Sequence, residues 1–160
     1  MIRILGIDPG SRITGFGVVD CDGSQEVYVD SGCIRVTGET LADRLKIIFD
    51  GIDELIRLHQ PHVAAAESVF VHQNPGTAIK LGQARGAAIS AVAVHQLRFA
   101  EYSPATIKKT IVGSGAADKE QMQYMVRMLL NLNRAPTNDA ADALACALCH
   151  NRHTMQGRAS

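Results

Sequence analysis

The sequence contains no tryptophan, few other aromatic residues and no long hydrophobic run. Aromatic residues make up 4% of its 160 residues, whereas hydrophobic residues as a whole make up 46%. A chain of this length can bury a substantial core, so that core must consist of aliphatic side chains and alanine. The longest nearly apolar stretch, residues 86–94, is too short to cross a bilayer. We therefore expect a globular protein without a membrane-spanning helix.

A net charge is also absent, because sixteen basic residues balance sixteen acidic ones. This balance neither supports nor excludes a DNA partner, since acids gathered at a metal site would leave the remaining surface basic. The chain does not begin with a charged and then apolar leader, so we expect a cytoplasmic location. Linkers, repeats and low-complexity tracts are lacking too. One domain over residues 1–153 and a short flexible tail over 154–160 are expected.

Cysteine is scarce, and we expect its four side chains to be reduced. The segment from Cys146 through Cys149 to His150 formally matches a c-type haem attachment motif, and His153 extends it to a zinc-like cluster. However, these residues continue a predicted helix on which small apolar side chains pack. We therefore favour a packing role for the cysteines over a cofactor site.

The first forty residues predict three strands, over residues 2–8, 14–20 and 27–36. Their short connections favour an antiparallel meander. Gly15 and Gly17 thin the second strand, which allows either a bulge or a close approach of substrate.

Helices and short strands alternate in the rest of the chain. Thr40 and Asp118 are suitable N-caps for two of the helices. The predicted elements are a helix from Thr40 to about residue 59, a strand over 63–67, a helix over 77–94, a strand over 97–102, and helices over 104–112, after 118 and after 137. This order predicts an α/β fold with a five-stranded mixed sheet, three antiparallel strands then parallel strands, flanked by helices. It is the ribonuclease H-like order.

Four acidic residues stand where this fold would bring them together. Asp8 and Glu67 each end an apolar run, and Asp139 and Asp142 lie three residues apart on one face of the last helix. Carboxylates near an apolar core are costly unless a cation neutralises them. Oxygen ligands without thiols suit Mg²⁺ or Mn²⁺ rather than zinc. The pattern therefore favours a metal-dependent phosphoryl-transfer enzyme.

The helix over residues 77–94 has little side-chain bulk. Gly82 and Gly86 are four residues apart and stand among several alanines, so another backbone could approach closely. Packing on the sheet is the simpler interpretation, and a subunit interface is the alternative.

Four motifs together resemble the RuvC family of Holliday-junction resolvases, in the family's order and spacing. They are Gly6-Ile-Asp-Pro-Gly-Ser11, Lys80-Leu-Gly-Gln-Ala-Arg-Gly86, Val112-Gly-Ser-Gly-Ala-Ala-Asp-Lys119 and Asp139-Ala-Ala-Asp-Ala-Leu-Ala145. The resemblance implies a ribonuclease H-like nuclease domain and a homodimer that cuts four-way DNA junctions in recombination and repair. It also implies cooperation with the RuvA–RuvB branch-migration complex.

The resemblance also implies roles for individual residues. Asp8, Glu67, Asp139 and Asp142 match the family's catalytic, metal-binding acids, which would hold two Mg²⁺ ions, with Mn²⁺ able to substitute. The implied DNA-binding residues are Phe70, Lys108, Lys119 and Arg85, and Lys119 is also a catalytic candidate. Ala66, before Glu67, is smaller than the family pattern suggests, which bears on strand packing.

Two other functions deserve comparison with the nuclease. A phosphate-binding ATPase or sugar kinase shares the opening strand with Asp8 and Gly10, but normally needs two such domains, and this chain has room for one. A junction-binding scaffold without catalysis is less compatible with four intact acids. The expected reaction is symmetric hydrolysis that leaves 5′-phosphate and 3′-hydroxyl ends.

Overall fold

A five-stranded mixed sheet with helices on both faces organises the protein, whose computed structural model describes residues 1–68 and 74–159. Within those residues the elements follow one another in a fixed order. They are β1 (Ile2–Asp8), β2 (Ile13–Asp22), β3 (Gln25–Arg35), α1 (Leu41–His59), β4 (Val63–Glu67), α2 (Pro75–Val94), β5 (Arg98–Tyr102), α3 (Pro104–Val112), α4 (Lys119–Leu129) and α5 (Asn138–Ala159).

The strand order across the sheet is β3-β2-β1-β4-β5. β1, β2 and β3 pair antiparallel, as the short turns between them predict. β4 pairs parallel with β1, and β5 pairs parallel with β4. The expected mixed sheet of three antiparallel strands followed by parallel strands is therefore confirmed.

Alternation along the central strands separates two cores. Leu5 and Ile7 of β1 pack on one face with α1 and α2, whereas Ile4 packs on the other face with α3, α4 and α5. Because successive side chains of a strand point to opposite faces, Gly6 and Asp8 share the face of Ile4. The first proposed ligand is thus placed on the side of the sheet that α5 covers.

Two glycines allow α5 to lie unusually close to the sheet. A Cβ atom on Gly6 would stand 1.8 Å from the carbonyl oxygen of Ala143, and one on Gly15 would stand 2.2 Å from that of Asp139. Any larger side chain at these positions would force the helix away. The glycines of β2 were expected to permit a bulge or approach of substrate. The close neighbour is instead the helix that carries two of the acids, and the register shift lies between Val18 and Val19.

The expected N-caps are confirmed. The hydroxyl of Thr40 accepts a hydrogen bond from the amide of Asp43, and the carboxylate of Asp118 accepts one from the amide of Gln121. α2 begins two residues earlier than predicted, because Asn74 accepts a hydrogen bond from the amide of Gly76 and Pro75 occupies the first turn.

The C-terminal segment differs from the flexible tail that the sequence suggested. α5 continues to Ala159, across the expected boundary at residue 153. The hydroxyl of Thr154 donates to the carbonyl oxygen of Asn151 at 2.8 Å, and the side chain of Asn151 donates to the carbonyl oxygen of Gly23 at 3.1 Å. The helix therefore continues across the predicted boundary, for which composition gave no signal.

The four cysteines are free, and Cys146 and Cys149 are buried in the core of the α5 face, as the packing interpretation predicts. His150 accepts a hydrogen bond from, or donates one to, the hydroxyl of Tyr102 at 2.7 Å.

None of the helices in the described part of the chain combines the length and hydropathy needed to span a membrane.

Candidate active site

Two of the four acids lie at the ends of neighbouring parallel strands. Ile7 of β1 is paired with Ala66 of β4, so Asp8 and Glu67 are the next residues along the two strands. Both side chains are half-buried. Parallel pairing thereby brings together two carboxylates that are far apart in sequence.

The other two acids come from the start of α5. Thr137 precedes the helix, and its hydroxyl accepts a hydrogen bond from the amide of Ala140 at 3.4 Å. Asp139 and Asp142 then lie on one face of the helix. The missing side chain at Gly15 lets the backbone of Asp139 reach the sheet edge beside Asp8.

The electrostatics show that the four acids share one site. Burial is the largest cause of a rise in the pKa of Asp8 to about 8, and the negative charges of Asp142, Asp139 and Glu67 and a hydrogen bond with Asp139 supply the rest. Burial is also the main reason why the pKa values of Glu67 and Asp142 are raised, and the charge of Asp142 adds to the effect at Glu67. A group of acids that disfavour ionisation in this way favours a cation among them.

Two lysines lie near two of the acids. Lys108 of α3 and Lys119 of α4 line a cavity of about 350 Å³ together with Glu67 and Asp142. Both lysines lower the pKa values of these two carboxyls, in opposition to burial. The sequence-based expectation placed them near the acids, and the structure brings them there.

Arg85 occupies a different kind of position from the lysines. Its side chain is only 11% exposed. Nη1 donates to the carbonyl oxygen of Glu67 at 2.6 Å, and Nη2 lies 3.0 Å from Oε1 of Glu101 without hydrogen-bond alignment. The guanidinium also lies over the ring of Phe99, 5.8 Å from its centroid. Arg85 therefore holds the end of β4 through the backbone carbonyl of Glu67.

The donor set fits a hard divalent cation. Four carboxylates converge, and Cys146, the nearest thiol, has a pKa raised well above its usual value by burial and by the surrounding acids, so it stays neutral. In the described residues, no three His, Cys, Asp or Glu side chains already surround one point as metal ligands. Carboxylate oxygens with half-buried, flexible side chains are nevertheless the ligands that Mg²⁺ and Mn²⁺ prefer.

Phe70, the remaining candidate, lies outside the described residues. Sequence reasoning missed two features of the site, the contact of Arg85 with the Glu67 carbonyl and the role of Gly6 and Gly15 in docking α5. The pattern Gly6-Ile-Asp8 carries a signal for the latter, because the glycine shares a strand face with the acid.

The sequence and the fold of this chain are similar to those of known proteins. The family model described as crossover junction endodeoxyribonuclease RuvC matches residues 4–150. The chain belongs to the RuvC family. Curated relatives named crossover junction endodeoxyribonuclease RuvC include one from Shewanella sp. strain MR-4, 58% identical over 98% of this chain and 90% of the relative. Another, from Shewanella amazonensis, is 55% identical over 100% of this chain and 95% of its own length.

Solved structures agree with the sequence relatives. The structure described as T. thermophilus RuvC in complex with Holliday junction substrate superposes with a TM-score of 0.93, at 31% identity over 98% of this chain and 97% of that one. The yeast mitochondrial Holliday junction resolvase Ydc2, at 12% identity and a TM-score of 0.69, shares the fold. The expected family, the ribonuclease H-like fold and the enzyme class, an endonuclease acting on DNA, are confirmed.

Proposed function

We propose that this enzyme resolves Holliday junctions by symmetric, divalent-metal-dependent hydrolysis of phosphodiester bonds in recombination and DNA repair. Residues 1–153 would form the nuclease domain, with the end of α5 as a helical extension. The observation that carries the proposal is the convergence of Asp8, Glu67 and the two acids of α5 at one sheet edge. The superposition on a relative described as bound to a Holliday junction supports the choice of substrate.

The four carboxylates would hold two Mg²⁺ ions, with Mn²⁺ as a substitute. Asp8 would be the central ligand, because the charges of the other three acids all act on it. Bound metal supplies a lowered pKa for the attacking water and charge neutralisation at the departing 3′ oxygen. The products would carry 5′-phosphate and 3′-hydroxyl ends.

Lys119 and Lys108 would act on the phosphate rather than on the metal. They line one cavity with Glu67 and Asp142, so a DNA strand lying there would meet both the acids and the ammonium groups. Ammonium groups in that position stabilise charge that grows on the phosphoryl oxygens. Lys119→Ala should therefore lower turnover much more than it lowers junction affinity. An equal loss of both would indicate simple backbone binding.

For Arg85 the geometry favours a positioning role over a direct DNA contact. Its guanidinium holds the carbonyl oxygen of Glu67 and pairs with Glu101. Arg85→Gln should shift the Mg²⁺ concentration needed for half-maximal cleavage while junction binding in chelator is retained. If Arg85→Gln instead lost junction binding in chelator, a direct contact between Arg85 and DNA would be favoured.

Two partners are also proposed. A second copy of the chain would provide the matched cut on the opposite strand, because a junction is nearly two-fold symmetric. The face of α2 with Gly82 and Gly86 is the candidate interface, since a Cβ at either glycine would meet no atom within 4 Å. RuvA–RuvB is the expected upstream partner, Phe70 the expected base-unstacking side chain, and the cytoplasm the expected location.

One experiment tests the central proposal. A synthetic four-way junction and a linear duplex of the same sequence are incubated with the protein, in Mg²⁺ and in chelator. Paired, symmetric nicks in the junction alone, only with Mg²⁺, are expected. Nucleotide-dependent thermal stabilisation without cleavage would favour a kinase-like enzyme, and tight junction binding without cleavage would favour a scaffold.

A further inference from the structure

A second groove opens beside the active site, on the other side of the turn that follows Asp8. It has a volume of about 710 Å³ and lies between that turn, the start of α1 and the first turns of α2. The polar residues that line it are cationic or neutral, namely Ser11, Arg12, Arg44, Thr77, Lys80 and Gln83. No Asp or Glu is among the described residues that line it.

The three cations differ in how they are held. Arg44 is half-buried, and its Nη2 donates to the carbonyl oxygen of Ser11 at 2.8 Å, which ties α1 to the turn after Asp8. A guanidinium has five N–H donors, so others are available to a ligand. Arg12 and Lys80 are exposed, and neither forms an ion pair with another residue of the described chain.

The floor of the groove is apolar. Leu41, Leu45 and Ile48 of α1 lie beneath the cations, together with Val36 and Ala84. Leu41 is half exposed, at 50%. A cationic rim above an apolar floor matches the sugar–phosphate backbone of a nucleic acid, whose phosphates are anionic and whose sugars present carbon atoms.

The groove is also at a suitable distance from the catalytic acids. Ser11 follows Asp8 by three residues, so their Cα atoms are separated by at most about 11 Å. Phosphates of one strand recur about every 3.4 Å along a duplex axis. α2 contributes to both places, because Leu81 and Arg85 line the cavity beside Asp8 while Thr77 and Lys80 line the groove.

We propose that the groove formed by Arg12, Arg44 and Lys80 binds the DNA backbone within about three nucleotides of the phosphate that is cut. This inference rests on the proposed junction-cleaving function and adds a binding site for the flanking strand. The groove positions the DNA and takes no part in the chemical step. Arg12 and Lys80 are the residues to alter, because Arg44 also holds the turn.

The test compares the double variant Arg12→Gln/Lys80→Gln with the control Arg57→Gln/Arg98→Gln. The control removes the same charge from exposed arginines at the opposite end of the sheet, since Arg98 begins β5 and Arg57 lies in the last turn of α1. Junction affinity is measured in chelator between about 50 and about 200 mM salt. Each lost duplex-phosphate contact lowers the salt slope by about 0.9, so the wild type should lose about 12-fold more affinity over this range than the double variant.

A substitution in the DNA locates the contact. Junctions with one neutral methylphosphonate at each position near the cut should show one or two positions that weaken the wild type and the control, but not the double variant. Turnover at saturating junction should stay within about twofold of the wild type, since the groove contributes uniform binding. Equal salt slopes for all three proteins, or the same methylphosphonate profile, would overturn the proposal and direct attention to a protein ligand.

The result separates this inference from the proposed function. If the wild type does not cut the junction in Mg²⁺, the function fails, whatever the groove does. If the wild type cuts and the double variant keeps the wild-type salt slope, only the groove assignment fails. Thermal unfolding of each variant confirms that it is folded.

Discussion

α2 and α5 are both long and rich in small residues, yet they use these residues in opposite ways. Ala140, Ala143 and Ala147 of α5 are at most 2% exposed and pack on the sheet. Gly82 and Gly86 of α2 have open space where a side chain would be. The same composition thus brings two backbones together in one helix and leaves an uncovered face in the other.

The difference lies in what stands opposite each helix. α5 faces Gly6 and Gly15 of the sheet, so small residues on both sides allow an approach that no larger pair would permit. α2 turns Ala84, Ala88 and Ala91 towards the core and its glycines away from it. Close approach therefore brings the acids of α5 to the sheet, whereas the glycine face of α2 is uncovered in this chain.

The largest expected effect is the loss of a carboxylate from α5. Asp142→Asn should lower Mg²⁺-dependent cleavage of a four-way junction by about 10²- to 10³-fold or more, because a charge that stabilises the reaction is removed. Junction binding in chelator should persist or improve, since one negative charge near the DNA is lost. Single-turnover cleavage and gel-shift titration measure the two quantities. Substituting Glu120, an exposed acid of α4, with Gln is the matched control.

The next largest effect should come from the sheet side of the same contact. Gly15→Ala places a Cβ only 2.2 Å from the carbonyl oxygen of Asp139, which is far closer than van der Waals contact. We expect a loss of about 1–3 kcal/mol of stability and a further loss of cleavage, because α5 must move and carry its acids with it. Gly157→Ala, near the end of α5, is the control, because a Cβ there meets no atom within 4 Å. Thermal unfolding and cleavage rates that are unchanged in Gly15→Ala would contradict the close docking.

The sequence predicted the elements of the fold well because their signals are local. Thr40 and Asp118 begin helices that their capping side chains announce, and the short turns fix the antiparallel strands. The four acids could be singled out as ligand candidates because each ends a strand or lies in the first turns of a helix, and the structure places them near one another. Their shared electrostatics became visible only in three dimensions, since the raised pKa of Asp8 depends on residues more than fifty positions away.

Other features could not be predicted from local patterns. The contact between Arg85 and the Glu67 carbonyl depends on how α2 crosses β4. The contact of α5 with the β2–β3 turn depends on Asn151 reaching the carbonyl oxygen of Gly23. Both are long-range contacts of ordinary residue types, so neither composition nor periodicity marks them in advance.

The third prediction concerns the pH dependence of α5 docking. A carboxyl whose pKa is higher in the folded protein than in the unfolded chain binds more protons when folded, so its contribution to stability is lost as pH rises between the two values. For Asp8 that window runs from 3.8 to about 8. The metal-free protein should therefore lose stability steadily between about pH 5 and about pH 8.

Chemical denaturation in chelator at several pH values measures this slope. Asp8→Asn should flatten it, because the asparagine does not titrate, and Mg²⁺ should oppose the loss in the wild type. Glu54→Gln, at an exposed position on α1, should leave the slope as in the wild type. A metal-free protein that becomes more stable towards about pH 8 would contradict the sign derived from burial and mutual repulsion at Asp8.

The smallest effect should come from the open face of α2. Gly86→Ala adds a methyl group where no atom lies within 4 Å, and alanine favours the helix over glycine by up to about 1 kcal/mol. At dilutions where the chain is monomeric we therefore expect a slightly higher melting temperature, the opposite sign to Gly15→Ala. If this face forms the dimer interface, sedimentation should show weaker association for Gly86→Leu than for Glu54→Leu, an exposed position on α1.

A protein that is monomeric both with and without junction would exclude α2 as an interface. The higher melting temperature of the Gly86→Ala monomer would still be expected, because it follows from helix propensity alone.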